Sequence, residues 1–143
     1  MNKNKSKAQI YLEQVEMADT IIPNKLVEIQ QWYDLATSIT ATMNGEAVQS
    51  SGSKQKMADA INKCLDTVDE LTQRVDQLKS IKKDVTNTIE QLYSPTEYNV
   101  LHMRYIQHMD LQEIADHYGK DYDWAKVVCK RGCDHVQAIL RRQ

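Results

Sequence analysis

Cysteines, histidines and a run of lysines and arginines are the residues here with chemistry to offer. Cys129 and Cys133 stand one helical turn apart, with His135 just beyond and His117 upstream. Zinc sites are built from such donors. Cys133-Asp134-His135, however, does not set three ligands on one helical face, so a reduced, buried thiol pair is the expectation. No metal and no cofactor are expected. His102, His108, His117 and His135 all follow residue 100, with no Ser-His-Asp order, paired-carboxylate motif or phosphate loop around them. An enzyme is therefore not expected. What remains is charge. Lys126, Lys130, Arg131, Arg141 and Arg142 stand against Asp134, giving residues 126–143 a net +4 that suits phosphate neutralisation. Asp110, Glu113, Asp116, Asp121 and Asp123 stand against Lys120, giving residues 110–123 a net −4 that suits a protein contact or a solvated face.

The elements that must position these groups are written into residues 93–142. Ser94 is an N-cap candidate, Pro95 sits at the first helical position, and Glu97 is placed to complete a capping box, with Tyr93 and Tyr98 as a hydrophobic staple. Asp110 and Glu113 repeat the box, with Met109 and Ile114 as the staple. Gly119 supplies a left-handed stop and Asp121 a further cap. The result is a long helix, a short helix, a tight turn and a third helix, the spacing of a helix-turn-helix. Tyr98, Leu101 and Tyr105 form the buried stripe of the first helix, and Leu111, Ile114, Ala115 and Tyr118 that of the second. In the third, Ala125, Val128, Gly132, Val136 and Ile139 share one face. The opposite face centres on Asp123, Val127 and Lys130, with Lys126 and Arg131 to either side. A recognition helix sends such a face into the major groove. Asp123 suits a cap and helix-dipole role better than base contact, and Trp124 suits helix packing.

The rest of the chain reads as helix. Of 143 residues only 4 are Gly and 2 Pro, and Phe is absent. Residues 1–7 read as a frayed basic arm. From about Ser6 to Met43, Val15, Ala18, Ile22, Ile29, Trp32, Ala36, Ile39 and Met43 repeat at threes and fours, with a kink or break expected near Pro23. Residues 44–53 form a Gly/Ser linker in which Ser53 caps the next helix. From Lys54 to Tyr93 the stripe Met57, Ile61, Cys64, Val68, Leu71, Val75, Leu78, Ile81 or Lys82, Val85, Ile89 and Leu92 persists for about five heptads. The expectation is all-α: an antiparallel, coiled-coil helical hairpin over 1–93, then a three-helix helix-turn-helix domain over 94–143. Two hairpins pairing into a four-helix bundle would give a homodimer. No run approaches the roughly 20 apolar residues of a membrane span. The basic N-terminus precedes no signal core, and an odd cysteine count fits reduced thiols in a cytosol.

The segment R-Y-I-Q-H-M-D-L-Q-E-I-A-D-H-Y-G-K-D-Y-D-W-A-K-V-V-C-K-R-G (104–132) resembles region 4 of sigma-70-class factors. The segment A-T-S-I-T-A-T-M-N-G-E-A-V-Q-S-S-G-S-K-Q-K-M (36–57), between two long helices, is similar to small phage and prophage proteins that sit beside ArpU/RinA-type late transcription regulators. The resemblance spans about Tyr11 to Leu140. It implies a regulator in a bacterial host cytoplasm, binding double-stranded DNA and working with RNA polymerase. Tyr122, Lys126, Val127, Lys130 and Arg131 would face DNA, with Asp123 beside them where such proteins often carry a basic residue. His108-Met109 replaces a glycine-containing turn. The linker is expected to pack on the hairpin or form a partner surface. Alternatives are a small-terminase-like DNA-packaging protein and a protein-interaction module that does not read DNA.

Overall fold

The computed structural model describes residues 4–45 and 51–143. Among them every regular element is helical: α1 (Lys7–Met43), α2 (Ser51–Ile89), α3 (Pro95–Leu101), α4 (Leu111–Tyr118) and α5 (Tyr122–Arg142). A π-helical turn, His102–Ile106, carries α3 onward. The all-α expectation is met, and none of these helices is long and apolar enough to cross a membrane. Half of the expected linker, residues 46–50, and the first three residues of the basic arm lie outside the described residues. The chain divides into two compact units, Met1–Asp19 with Lys79–Gln143, and Thr20–Leu78. The first unit thus takes in residues on both sides of the 93/94 boundary drawn from the sequence.

Within Thr20–Leu78, residues of α1 and α2 line two shared cavities. Ser38, Ile39 and Thr42 share a cavity of about 250 Å³ with Lys56, Met57 and Ala60. Trp32 and Leu35 line a second cavity with Lys63, Cys64 and Thr67 further along. Ala36, Cys64, Val68, Val75 and Leu78 are buried, as their heptad positions require. Leu26, Val27, Tyr33, Leu35 and Leu65 stay exposed. The break expected at Pro23 does not occur, since α1 runs through it. Pro23 is exposed, where solvent can replace the missing hydrogen bond. α2 starts at Ser51, so Ser53 lies inside the first turn instead of capping it.

The other unit holds the larger core. Ser6 and Gln9 open α1 with a reciprocal capping box, at 3.0 and 3.2 Å. Ala8, Leu12 and Val15 are fully buried there. They join Val85, Ile89 and Leu92 of the α2 end and Val100, Leu101, Ile114, Val128 and Val136 in one cluster. Tyr11 Oη donates to Asp84 at 2.8 Å and lies 2.8 Å from Thr88 Oγ1; burial and the Asp84 carboxylate push its pKa up to about 12, against the opposing effect of Thr88. The Ala8 amide donates to Gln137 Oε1 at 3.0 Å.

α2 ends at Ile89, short of the expected Tyr93, with the amides of Gln91 and Leu92 bonding three residues back. Tyr93 is fully exposed and makes no staple, because the early stop turns it away from α3. Ser94 does cap α3, accepting from the Glu97 amide at 3.2 Å, and Pro95 stands at the first helical position. Past Leu101 the helix widens: the Gln107 amide reaches the His102 carbonyl at 3.0 Å, an i to i+5 bond. The turn then closes at His108, with φ 59. That left-handed conformation is one glycine adopts freely and other residues adopt at about 1–2 kcal/mol. His108 Nε2 lies 2.7 Å from Asp19 Oδ2, and Asp19 also pairs with Lys82. Partial burial works against the Asp19 charge, yet the bonds from Lys82 and His108 hold its pKa below the ordinary value.

Candidate nucleic-acid interface

α4 and α5 are set by local capping. Asp110 accepts from the Glu113 amide at 2.9 Å, and Glu113 Oε1 accepts from the Asp110 amide at 3.2 Å. The amide bonds hold the Asp110 pKa below the ordinary value. Gly119 ends α4 at φ 64, and the Lys120 amide reaches the Ala115 carbonyl at 2.9 Å. Asp121 then caps α5 by accepting from the Trp124 amide at 2.8 Å. Tyr118 and Trp124 close over this turn, ring centres 5.1 Å apart, so Trp124 packs inward. Three of the five acids in 110–123 are therefore consumed as caps. Asp123 is exposed in the first turn of α5, where a negative charge favours the helix dipole.

The inward face of α5 is buried at Ala125, Val128, Gly132, Val136 and Ile139. Its outward face presents Asp123, Lys126, Val127 and Lys130, all exposed, with Val127 at 59% and Tyr122 at 46% beside them. Val127 is an exposed aliphatic side chain centred among lysines. Lys130 makes only a loose 3.5 Å pair with Asp134, and such an exposed pair contributes little. These five side chains are brought together on one outer surface.

Arg131 is different. Its Nε donates to Glu97 Oε2 at 3.0 Å, while His135 Nδ1 lies 2.5 Å from Oε1 of the same carboxylate. Glu97 is 4% exposed. The expected second half of the Ser94 box is therefore not made, because the Glu97 side chain turns to α5, where Arg131 and His135 are available. A buried carboxylate needs such partners. Arg131 thus ties α5 to α3 as well as bordering the outer face. Sequence reasoning missed this clamp, and its members lie 34 and 38 residues apart with no shared periodicity. Glu97→Gln keeps the shape but removes the charge, and a charge-assisted bond to half-exposed partners is worth about 1–2 kcal/mol. Thermal unfolding should therefore occur a few degrees lower, with helicity before the transition unchanged. An unshifted midpoint would assign the clamp no role in stability.

Arg104, in the π-helical turn, was also missed. Its guanidinium donates to the Met109 carbonyl at 3.3 Å. It borders a cleft of about 350 Å³ with Lys126, Lys130, Tyr105, Cys129 and Cys133. His135, counted with the cysteines as a zinc ligand candidate, points instead to Glu97. No family model, curated protein or solved structure matches this chain.

Proposed function

We propose that this chain is a DNA-binding transcription regulator of the phage or prophage type. α4, the Gly119 turn and α5 act as a helix-turn-helix like that of sigma region 4, with α3 as the third helix of the domain. α5 lies in the major groove. Lys126 and Lys130 neutralise phosphates, Val127 and Tyr122 meet base edges or sugars, and Asp123 favours the helix start. Arg131, held by Glu97, positions α5 more than it reads sequence. The helical hairpin formed by α1 and α2 pairs two copies or engages RNA polymerase at the promoter. The observation that carries this reading is the division of α5. One face is wholly buried, and the opposite face presents exposed lysines around Val127 directly after a capped, left-handed turn.

The test is binding of the full chain to duplex DNA across a salt series. With about four phosphates contacted, affinity falls on the order of a hundredfold between about 50 and 200 mM salt. Absent or salt-independent binding overturns the reading and favours the protein-interaction alternative.

A further inference from the structure

α5 carries a second cluster that the DNA reading does not use. Cys129 and Cys133 lie one turn apart on its inward side. The Tyr105 hydroxyl is 3.8 Å from Cys133 Sγ. Arg104 lines the same cleft as both cysteines and brings a positive charge to it. The neighbouring Cys133 thiol and the Arg104 charge outweigh burial and hold the Cys129 thiol below its usual range, whereas Cys129 and burial push Cys133 far above. Both cysteines border the cleft lined by Arg104, Lys126 and Lys130, whose volume of about 350 Å³ far exceeds that of a peroxide molecule. Cys129 is 8% exposed and Cys133 3%. Two neighbouring thiols and a cation at the wall of an open cleft are the parts of an oxidation-sensitive pair.

We propose that Cys129 is a peroxide-reactive thiol and Cys133 its resolving partner, so that α5 carries an oxidation site behind its basic face. The Cys129 thiolate attacks the terminal oxygen of a hydroperoxide. An S–O bond forms, the O–O bond breaks, and the departing alkoxide or hydroxide takes a proton from water. The sulfur gives up two electrons and the peroxide accepts them. Cys133 then attacks the sulfenic sulfur. An S–S bond forms and the S–O bond breaks, with hydroxide leaving as water on the proton of the Cys133 thiol. In a regular helix, Cβ atoms four residues apart are about 5–6 Å from each other. A disulfide needs about 3.5–4.5 Å. Closing the bond therefore bends α5 between Lys126 and Asp134, and the strained product is readily reduced. The site does not depend on α5 contacting DNA.

The test uses the reduced full chain and hydrogen peroxide, read by peptide mapping after trypsin. Cleavage at Lys130 and Arg131 puts the two sulfurs in different peptides, so a link between them is diagnostic. The native chain should give a Cys129–Cys133 link that dithiothreitol removes. In Cys133→Ser, dimedone should trap a sulfenic acid at Cys129 about tenfold faster than at Cys64, and Arg104→Gln should slow Cys129 oxidation in the native chain a few-fold. Circular dichroism checks that each variant is folded, and the native chain decides if one is not. Oxidation of Cys129 no faster than Cys64, oxidation only in denaturant, or links through Cys64 without the Cys129–Cys133 link would overturn the proposal.

Discussion

Lys126→Glu combined with Lys130→Glu lowers affinity for duplex DNA by about a hundredfold near 100 mM salt, and removes about two units from the slope of log affinity against log salt. Both side chains are exposed on the outward face of α5, one turn apart. Neither supports the core, and Lys130 meets Asp134 only loosely, at 3.5 Å. The thermal midpoint should therefore move by no more than about 2 °C, since surface substitutions away from special features stay within about 0.5 kcal/mol. Arg131 is the wrong residue to reverse. A glutamate there would face the buried Glu97 carboxylate, and lost binding would be confounded with unfolding. Anisotropy titrations on one duplex at several salt concentrations measure both quantities. A double variant that binds as the native chain does, with the same slope, removes this face from the interface.

Gly132→Val lowers stability by about 3 kcal/mol, read as a fall of roughly 6–12 °C in thermal midpoint. A Cβ on Gly132 would lie 3.1 Å from Leu101 Cγ and 3.2 Å from Cδ1. Leu101 is fully buried and cannot swing into solvent. Two further methyl groups have nowhere to go without parting α3 from α5. Removing a helical glycine works the other way by a few tenths of a kcal/mol, too little to compensate. Gly52 in α2 is the control, since a Cβ there meets nothing within 4 Å. Gly52→Ala should hold or raise the midpoint. An unchanged midpoint in Gly132→Val would mean that α3 and α5 can separate without loss.

Local features are the ones the sequence shows well. Ser94, Asp110 and Asp121 cap as expected, and Gly119 takes the left-handed turn, because each bond spans about three residues and needs no tertiary partner. The α2 stripe is equally legible, since heptad spacing reports directly which side is buried. The failures are where tertiary context overrides a local rule. Glu97 has the right spacing for a box, yet a basic partner 34 residues away outcompetes the adjacent amide. Tyr93 has staple spacing, but α2 stops four residues early. The π-helical turn adds one residue to a helical turn without a signature in apolar spacing. Ala8 and Leu12 read as ordinary helix, because the helices that bury them stand at the other end of the sequence. Of the outward face of α5, the exposed residues Asp123, Lys126, Val127 and Lys130 were legible. That Arg131 is tied down, and that Arg104 borders the same cleft, required the fold.

The discontinuous unit has a consequence for biosynthesis. Residues 4–19 leave the ribosome before residues 79–143, with which they form one compact unit. The Ala8 amide bonds a side chain 129 positions later. At about 5–20 residues per second, the first turns of α1 wait on the order of ten seconds before that partner exists. Until then the core that Ala8, Leu12 and Val15 enter is incomplete. A chain cut short before α5 therefore lacks its basic face and also leaves its own first helix undocked, a ready substrate for proteases.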